Sequence, residues 1–209
     1  MNPSNACFSN ISINRMFNEA RESLPYAAPY LFLTIDPCGG SQDPLHGVSD
    51  FALITHIVYR SANYICGLEA IAVQTQNDYE SRVLGHIARC YQNIKLANAK
   101  LIVTVEGNLG LEASHVKRLI SATYPAAVFL NHGKGTDGLR TDQHNKPAMA
   151  QILDYQLRAE GVHLIRELVC TDPNPAKVLE KLRTQLLVYS RLTIEPKVSE
   201  NDPRLTMRD

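Results

Sequence analysis

Asp36 closes the run Tyr30-Leu31-Phe32-Leu33-Thr34-Ile35, and Glu106 closes Leu101-Ile102-Val103-Thr104-Val105. Both runs are almost wholly apolar and β-branched, which reads as two buried strands. An ionised carboxylate at the tip of such a strand is costly unless a cation is close by. Turn residues follow each acid, Pro37-Cys38-Gly39-Gly40 and Gly107-Asn108. Two neighbouring strands ending in this way would present hard oxygen ligands at one sheet edge, the arrangement that holds Mg²⁺ or Mn²⁺. The expected chemistry is metal-dependent cleavage of a phosphodiester.

Each acid has a simpler reading. An Asp-Pro followed by Gly-Gly makes a turn unaided, so Asp36 could merely initiate one. Glu106 is harder to dismiss, because Glu is a poor turn former and is depleted in strands; near a helix N-terminus the dipole would favour it. Two metal ions need more ligands than two side chains conveniently supply. A third carboxylate is therefore expected near the C-terminus, where Asp202 and Asp209 are the candidates against a plain solvated acidic tail. Glu69 lies in a third strand-like run at a position that could face either the core or solvent, and polar alternation on an exposed sheet face explains it adequately. His86 and His115 fall in helical stretches and read as structural or surface residues.

Several other chemistries are excluded. Around Gly133-Lys134-Gly135-Thr136, the phosphate-loop pattern would need Gly where Val128 stands and Ser or Thr in place of Gly135, so no ATPase is expected on this chain. That loop instead offers Lys134, Arg140, His144 and Lys146 as cations able to meet DNA phosphates; Asp137 and Asp142 dilute their charge, and a plain solvated loop is the alternative reading. The seven histidines form no H-x-x-x-H or H-E-x-x-H pair, and no G-x-S-x-G elbow occurs. The five cysteines show no C-x-x-C and read as small buried hydrophobes in a reducing compartment.

With 209 residues, 44% hydrophobic and 20% charged, the chain has the composition of a globular domain with one substantial core. No apolar run approaches the ~18 residues of a membrane span, and the N-terminus lacks a signal-peptide layout, so the expected setting is intracellular, not secreted. The 21 basic residues balance 21 acidic ones. A protein that grips DNA alone usually has a basic excess. Most of the grip is therefore assigned to another domain or subunit.

The elements that must position the acids follow from periodicity. Ile13, Met16, Phe17, Ala20 and Leu24 predict an amphipathic helix over 12–24, part of a helical extension spanning 1–28 ahead of a domain covering 29–209. Strands are predicted at 30–36, 51–59 and 64–73, the last two joined by a hairpin at 60–63. A long helix carrying Tyr79, Val83, Ile87, Tyr91 and Ile94 follows, then a strand at 101–105, a helix at 111–123 and a strand at 126–130. After a polar loop, 131–145, come a helix with Met149, Ile152, Leu153 and Leu157, a strand at 162–169, and a helix after the cap-like Asp172-Pro173. The order implies an α/β fold, a mixed sheet with helices on both faces.

Thr34-Ile35-Asp36-Pro37, Val105-Glu106-Gly107-Asn108, Asn145-Lys146-Pro147-Ala148-Met149 and Gly161-Val162-His163-Leu164 form an ordered series. Over most of residues 30–190 the chain resembles the C-terminal nuclease domain of the large terminase subunit of herpesviruses and tailed phages. The herpesvirus branch is the more similar, through Asp-Pro, Glu-Gly-Asn and Thr171-Asp172-Pro173 before a Leu-rich helix. The resemblance implies a ribonuclease H-like sheet whose first and fourth strands are neighbours. It also implies a two-metal endonuclease that cuts concatemeric double-stranded viral DNA during packaging. Asp36 and Glu106 match the first two metal-binding acids of that family, and Asp202 is the nearest match to the third. Departure is greatest there, since Asn201-Asp202-Pro203-Arg204-Leu205 replaces an Asp-Asp-Leu segment. The implied partners are double-stranded DNA, the ATPase domain, other terminase subunits and the portal; the implied location is the host nucleus for the herpesvirus type and the host cytoplasm otherwise. Two alternatives stand beside this reading: a catalytically impaired module of the same fold that binds DNA or a packaging partner, and another nuclease or resolvase of that fold.

Overall fold

A computed structural model of the chain describes residues 6–37, 50–71, 77–107, 110–131, 138–141 and 145–189. The first strand, β1 (Tyr30–Asp36), lies at the centre of a six-stranded sheet. It pairs antiparallel with β2 (Phe51–Tyr59) and parallel with β4 (Lys100–Val105). Beyond β2 lie β3 (Ala62–Ile71) and then β6 (Val162–Val169); β5 (Val128–Leu130) flanks β4. The spatial order is β5-β4-β1-β2-β3-β6.

The helices are α1 (Asn10–Asn18), α2 (Asn77–Gln92), α3 (Gly110–Thr123), α4 (Asn145–Arg158) and α5 (Pro175–Val188). Side chains of directly paired residues share a face of a sheet. On one face Leu33, Ile35, Leu53, Ile57, Val103 and Val105 meet Val83, Ile87 and Cys90 of α2 and Val116 and Ile120 of α3. A second cluster joins Ile13 and Met16 of α1, Ala150 and Leu157 of α4, and Val162 and Leu164 of β6, with Leu179 and Leu186 of α5 packed against it. Helices thus cover both sides of the sheet, as the element order predicts.

The β2–β3 hairpin turns through Arg60 and Ser61, with φ of +48° and +67°. Positive φ at both central residues is the geometry whose twist matches that of the flanking strands. Several boundaries differ from the sequence reading, among them β5, which covers 128–130 and not 126–130. Helix α1 stops at Asn18 because Arg21 bridges to the edge strand β6 instead: its N–H donates to Leu164 O at 2.7 Å, and Arg166 N–H donates to its carbonyl at 2.8 Å. Strand β3 covers 62–71, not 64–73. The cap of α5 is Asn174, whose side chain accepts from Lys177 N–H, with Pro175 at the first helical positions. Asp172 turns inward to Arg82.

The polar face of α2 holds a further difference. Glu69 and His86 are both fully buried. Because Glu69 pairs with Leu53, which pairs with Ile35, it points into the core and not onto an exposed face. His86 Nδ1 lies 2.9 Å from Glu69 Oε1, and Nε2 lies 3.1 Å from Thr55 Oγ1. Thr171 Oγ1 donates to Glu69 Oε2 at 2.9 Å, Thr171 N–H also donates to this carboxylate, and Arg82 Nη2 stands 3.5 Å from it. Those donors outweigh the cost of burial and hold Glu69 below the usual carboxylate range. Gly67 makes room for the imidazole: a Cβ there would stand 2.6 Å from His86 Nε2 and 2.2 Å from Thr55 Oγ1.

Candidate active site

The parallel pairing of β1 and β4 places Ile35 beside Val105, so the next residue of each strand, Asp36 and Glu106, emerges at the same sheet edge. Glu106 N–H donates to Ile35 O at 2.8 Å, which extends the ladder one step past β4. Val105 and Ile35 are buried on the α2 face, and strand alternation turns the two acids to the other side. Asp36 is exposed, whereas Glu106 is half-buried.

The residues before α4 complete the surroundings of Glu106. Leu139 N–H donates to Val105 O at 2.7 Å and its carbonyl accepts from Gly107 N–H at 2.8 Å, continuing the sheet for one bridge beyond β4. This close approach requires glycine next to it. Gly138 has φ +84°, and a Cβ on it would lie 2.5 Å from Val105 O. Two residues after Leu139, the Thr141 hydroxyl donates to Glu106 Oε1.

Burial, followed by the hydrogen bond and repulsion of Asp36, pushes the Glu106 carboxyl up to about 7, with Lys146 pulling in the opposite direction. Two like charges confined to one site cannot both ionise cheaply. A divalent cation relieves that repulsion with the hard oxygen donors it prefers, so the two carboxylates fit Mg²⁺ or Mn²⁺ as ligands. Among the described residues no group of three His, Cys, Asp or Glu side chains is placed to hold a metal ion. Asp202 and Asp209 lie outside the described residues, as do Lys134 and His144.

The remaining cations separate. Lys146, on the first turn of α4, brings its charge to Glu106, a counterion role that the expectation of DNA contact did not include. The exposed Arg140 is held through its backbone, where its carbonyl accepts from Asn145 Nδ2 at 2.7 Å. The sequence reading also missed Thr141 and the buried Glu69–His86 pair. A signal for the pair exists: Arg82, His86 and Cys90 recur at four-residue spacing on α2, directly beside its apolar face.

One pH effect follows from Glu106. Its folded-state pKa near 7 stands above the ordinary 4.5, so the folded protein binds more protons between those values. Stability of the metal-free protein is therefore expected to fall as pH rises from about 4.5 to about 7. Mn²⁺ must compete with that proton, and its apparent affinity should weaken about tenfold per pH unit below about 7. Thermal melts with and without Mn²⁺ at about pH 5.5, 6.5 and 7.5 bracket that value and check both; an Mn²⁺-induced shift that did not grow with pH would contradict the assignment.

The order β3-β2-β1-β4-β5, with the first three strands antiparallel, the next two parallel and helices on both faces, is a ribonuclease H-like fold. Solved structures it is similar to include terminase nuclease domains and a large terminase. The human cytomegalovirus terminase nuclease domain, manganese-soaked and inhibitor-bound, aligns with a TM-score of 0.70 at 16% identity, over 90% of this chain and 88% of that one. The nuclease domain of the large terminase subunit gp2 of bacterial virus Sf6 aligns at 0.51 and 13% identity, over 87% and 81%. The large terminase of a thermophilic bacteriophage aligns at 0.54 and 9%, over 97% of this chain but 43% of its own length. No family model and no curated protein sequence matches the chain.

Proposed function

We propose that this chain is the nuclease domain of a DNA-packaging terminase, cutting concatemeric double-stranded viral DNA with two Mg²⁺ or Mn²⁺ ions. The observation that carries this reading is the meeting of Asp36 and Glu106 at the tips of two adjacent parallel strands of a ribonuclease H-like sheet. The likeness to terminase nuclease domains, one of them manganese-soaked, supports it. Bound cations supply the charge that activates the attacking water and stabilises the leaving 3′ oxygen.

The chain's own residues orient the site. Thr141 fixes one Glu106 oxygen through its hydroxyl, and Asp36 stands beside the same carboxylate. Lys146 sets a positive charge beside the carboxylates, where a scissile phosphate would also be neutralised. Asp202 is the proposed third ligand. It follows Tyr189, the last described residue, by thirteen positions, a reach of up to about 45 Å when extended. Balanced net charge leaves most DNA affinity to partners, proposed as the ATPase domain, other terminase subunits and the portal, in the host nucleus for a herpesvirus-type protein and in the host cytoplasm otherwise.

The test is incubation of supercoiled plasmid with the protein and Mn²⁺, followed on agarose. Linear and nicked products that vanish with EDTA are expected. Tight duplex binding with no metal-stimulated product would replace this reading with that of a catalytically impaired DNA-holding module. Preference for a hybrid or a branched junction would indicate another nuclease of the same fold.

A further inference from the structure

The sheet face that carries the two carboxylates also carries a row of aromatic rings. Along β1, Tyr30, Phe32, Thr34 and Asp36 alternate with the buried Leu31, Leu33 and Ile35, so the four project to one side. The ladder sets His56 of β2 opposite Phe32, and Lys100 of β4 opposite Tyr30. Phe32 and His56 lie nearly parallel, with ring centroids 5.2 Å apart and 16° between their planes, and Tyr30 follows at 6.4 Å from Phe32. Burial holds the His56 imidazole below its ordinary value, which keeps it a neutral ring. Helices α2 and α3 pack on the opposite face, while α1, α4 and α5 gather toward β3 and β6. Tyr30 is left 49% exposed, Val58 of β2 41%, and Leu130 of β5, the partner of Thr104, 48%. Exposed apolar side chains gathered on one face mark an interaction surface.

We propose that this face is a stacking platform for the unpaired bases of a single DNA strand running from Lys100 toward Asp36 and Glu106. Flat rings presented on a sheet accept nucleobases of any sequence, since every base has a π-face. The charges on the face agree with that occupant. Among the described residues of β1, β2, β4 and β5 on this side, Lys100 is the cation, and the acids are Asp36 and Glu106 at the far end. Lys100 and Glu106 are about 20 Å apart along the strand, so a strand held at a phosphate by Lys100 crosses the rings before it reaches the acids. The platform is also continuous with the candidate active site, because Phe32 precedes Asp36 by four residues, about 13 Å. The proposal deepens the nuclease reading, on which the choice of DNA rests: the strand being cut would be opened and held by its bases beside the carboxylates.

The chain contains no tryptophan, so Tyr30→Trp in the full chain places a single fluorescent reporter on the platform. With EDTA present, a thymidine oligonucleotide of about a dozen nucleotides should quench that fluorescence, whereas an abasic strand of equal length, with the same phosphates and no bases, should leave it nearly unchanged. Equal quenching by the two strands would reduce the contact to charge and overturn the proposal, as would quenching by neither. A blunt duplex keeps its bases stacked on one another and should not quench; a duplex that matched the single strand would also refute the platform. In the otherwise unaltered chain, Tyr30→Ala should weaken binding of the labelled thymidine strand, read by fluorescence anisotropy, at least about fivefold, and Tyr30→Phe should retain it. Tyr155→Ala, which removes an exposed aromatic ring on α4, should have no effect. Unchanged affinity in Tyr30→Ala contradicts the assignment. No metal is needed for these measurements, so a chain that passes them yet cuts no plasmid keeps the platform and loses the nuclease reading. One that cuts plasmid without base-dependent quenching loses the platform alone.

Discussion

Asp36→Asn and Glu106→Gln are each expected to lower Mn²⁺-dependent plasmid cleavage by at least about a thousandfold while raising thermal stability. The rate loss follows from removing one of the two carboxylates proposed to hold the cations; stabilisation of the reacting phosphate by a bound metal amounts to several kcal/mol, and each ~1.36 kcal/mol is tenfold. The gain in stability has a separate origin. Asp36 and Glu106 repel each other, with burial adding to the cost at Glu106, so neutralising either one removes an unfavourable contact in the metal-free protein. The opposite signs make the result decisive, because a variant that loses activity by unfolding would melt earlier. Wild-type cleavage rates in both variants would sink the assignment of these residues.

Glu69→Ala should destabilise the fold by about 3–5 kcal/mol, the cost of breaking a buried charged pair by removing one member. The consequence extends beyond one pair, because the carboxylate receives donors from His86 on α2 and from Thr171 ahead of α5, and stands beside Arg82, which also reaches Asp172. Its loss leaves those donors buried and loosens the start of α5. Gly67→Ala tests the same cluster from the other side. A methyl 2.6 Å from His86 Nε2 cannot be accommodated without moving the imidazole, so destabilisation of about 1–3 kcal/mol or more is expected. Urea unfolding of the wild type and both variants checks these values. The pH dependence has a definite sign: Glu69 lies below its ordinary pKa when folded, so its contribution is present above about 4.5 and is lost as pH falls through the folded value. Glu69→Ala should therefore flatten the acid limb of the stability profile.

Much of this architecture is legible from local pattern. Tyr30–Asp36 and Phe51–Tyr59 match the alternating or continuous apolar runs residue for residue, because a strand buried on one or both faces has few alternatives. The Gly161 stop and the strand 162–169 also fall where composition places them. Boundaries fail where a tertiary partner overrides local propensity. Residues 19–24 keep a helical apolar spacing, yet Arg21 pairs with an edge strand far along the chain, at Ile165. Asp172 looks like a helix cap but is drawn to Arg82, leaving Asn174 to cap α5.

The site divides along the same line. That Asp36 and Glu106 each end an apolar strand is a property of the sequence alone, since period and composition determine strand and tip locally. That the two strands are neighbours, parallel and in register is decided only by the tertiary structure, through β1 pairing β4 across the helix between β3 and β4. Proximity in turn creates the chemistry: burial and repulsion raise Glu106, Thr141 and Lys146 arrive from the segment opening α4, and none of these effects exists in an isolated strand. Glu69 shows the converse, a charged residue whose facing the pattern leaves open and that only the packing of α2 against β3, with Thr171 following the neighbouring β6, turns into a buried, partnered carboxylate. Local physics selects which residues stand at strand tips; long-range pairing decides which of them face one another.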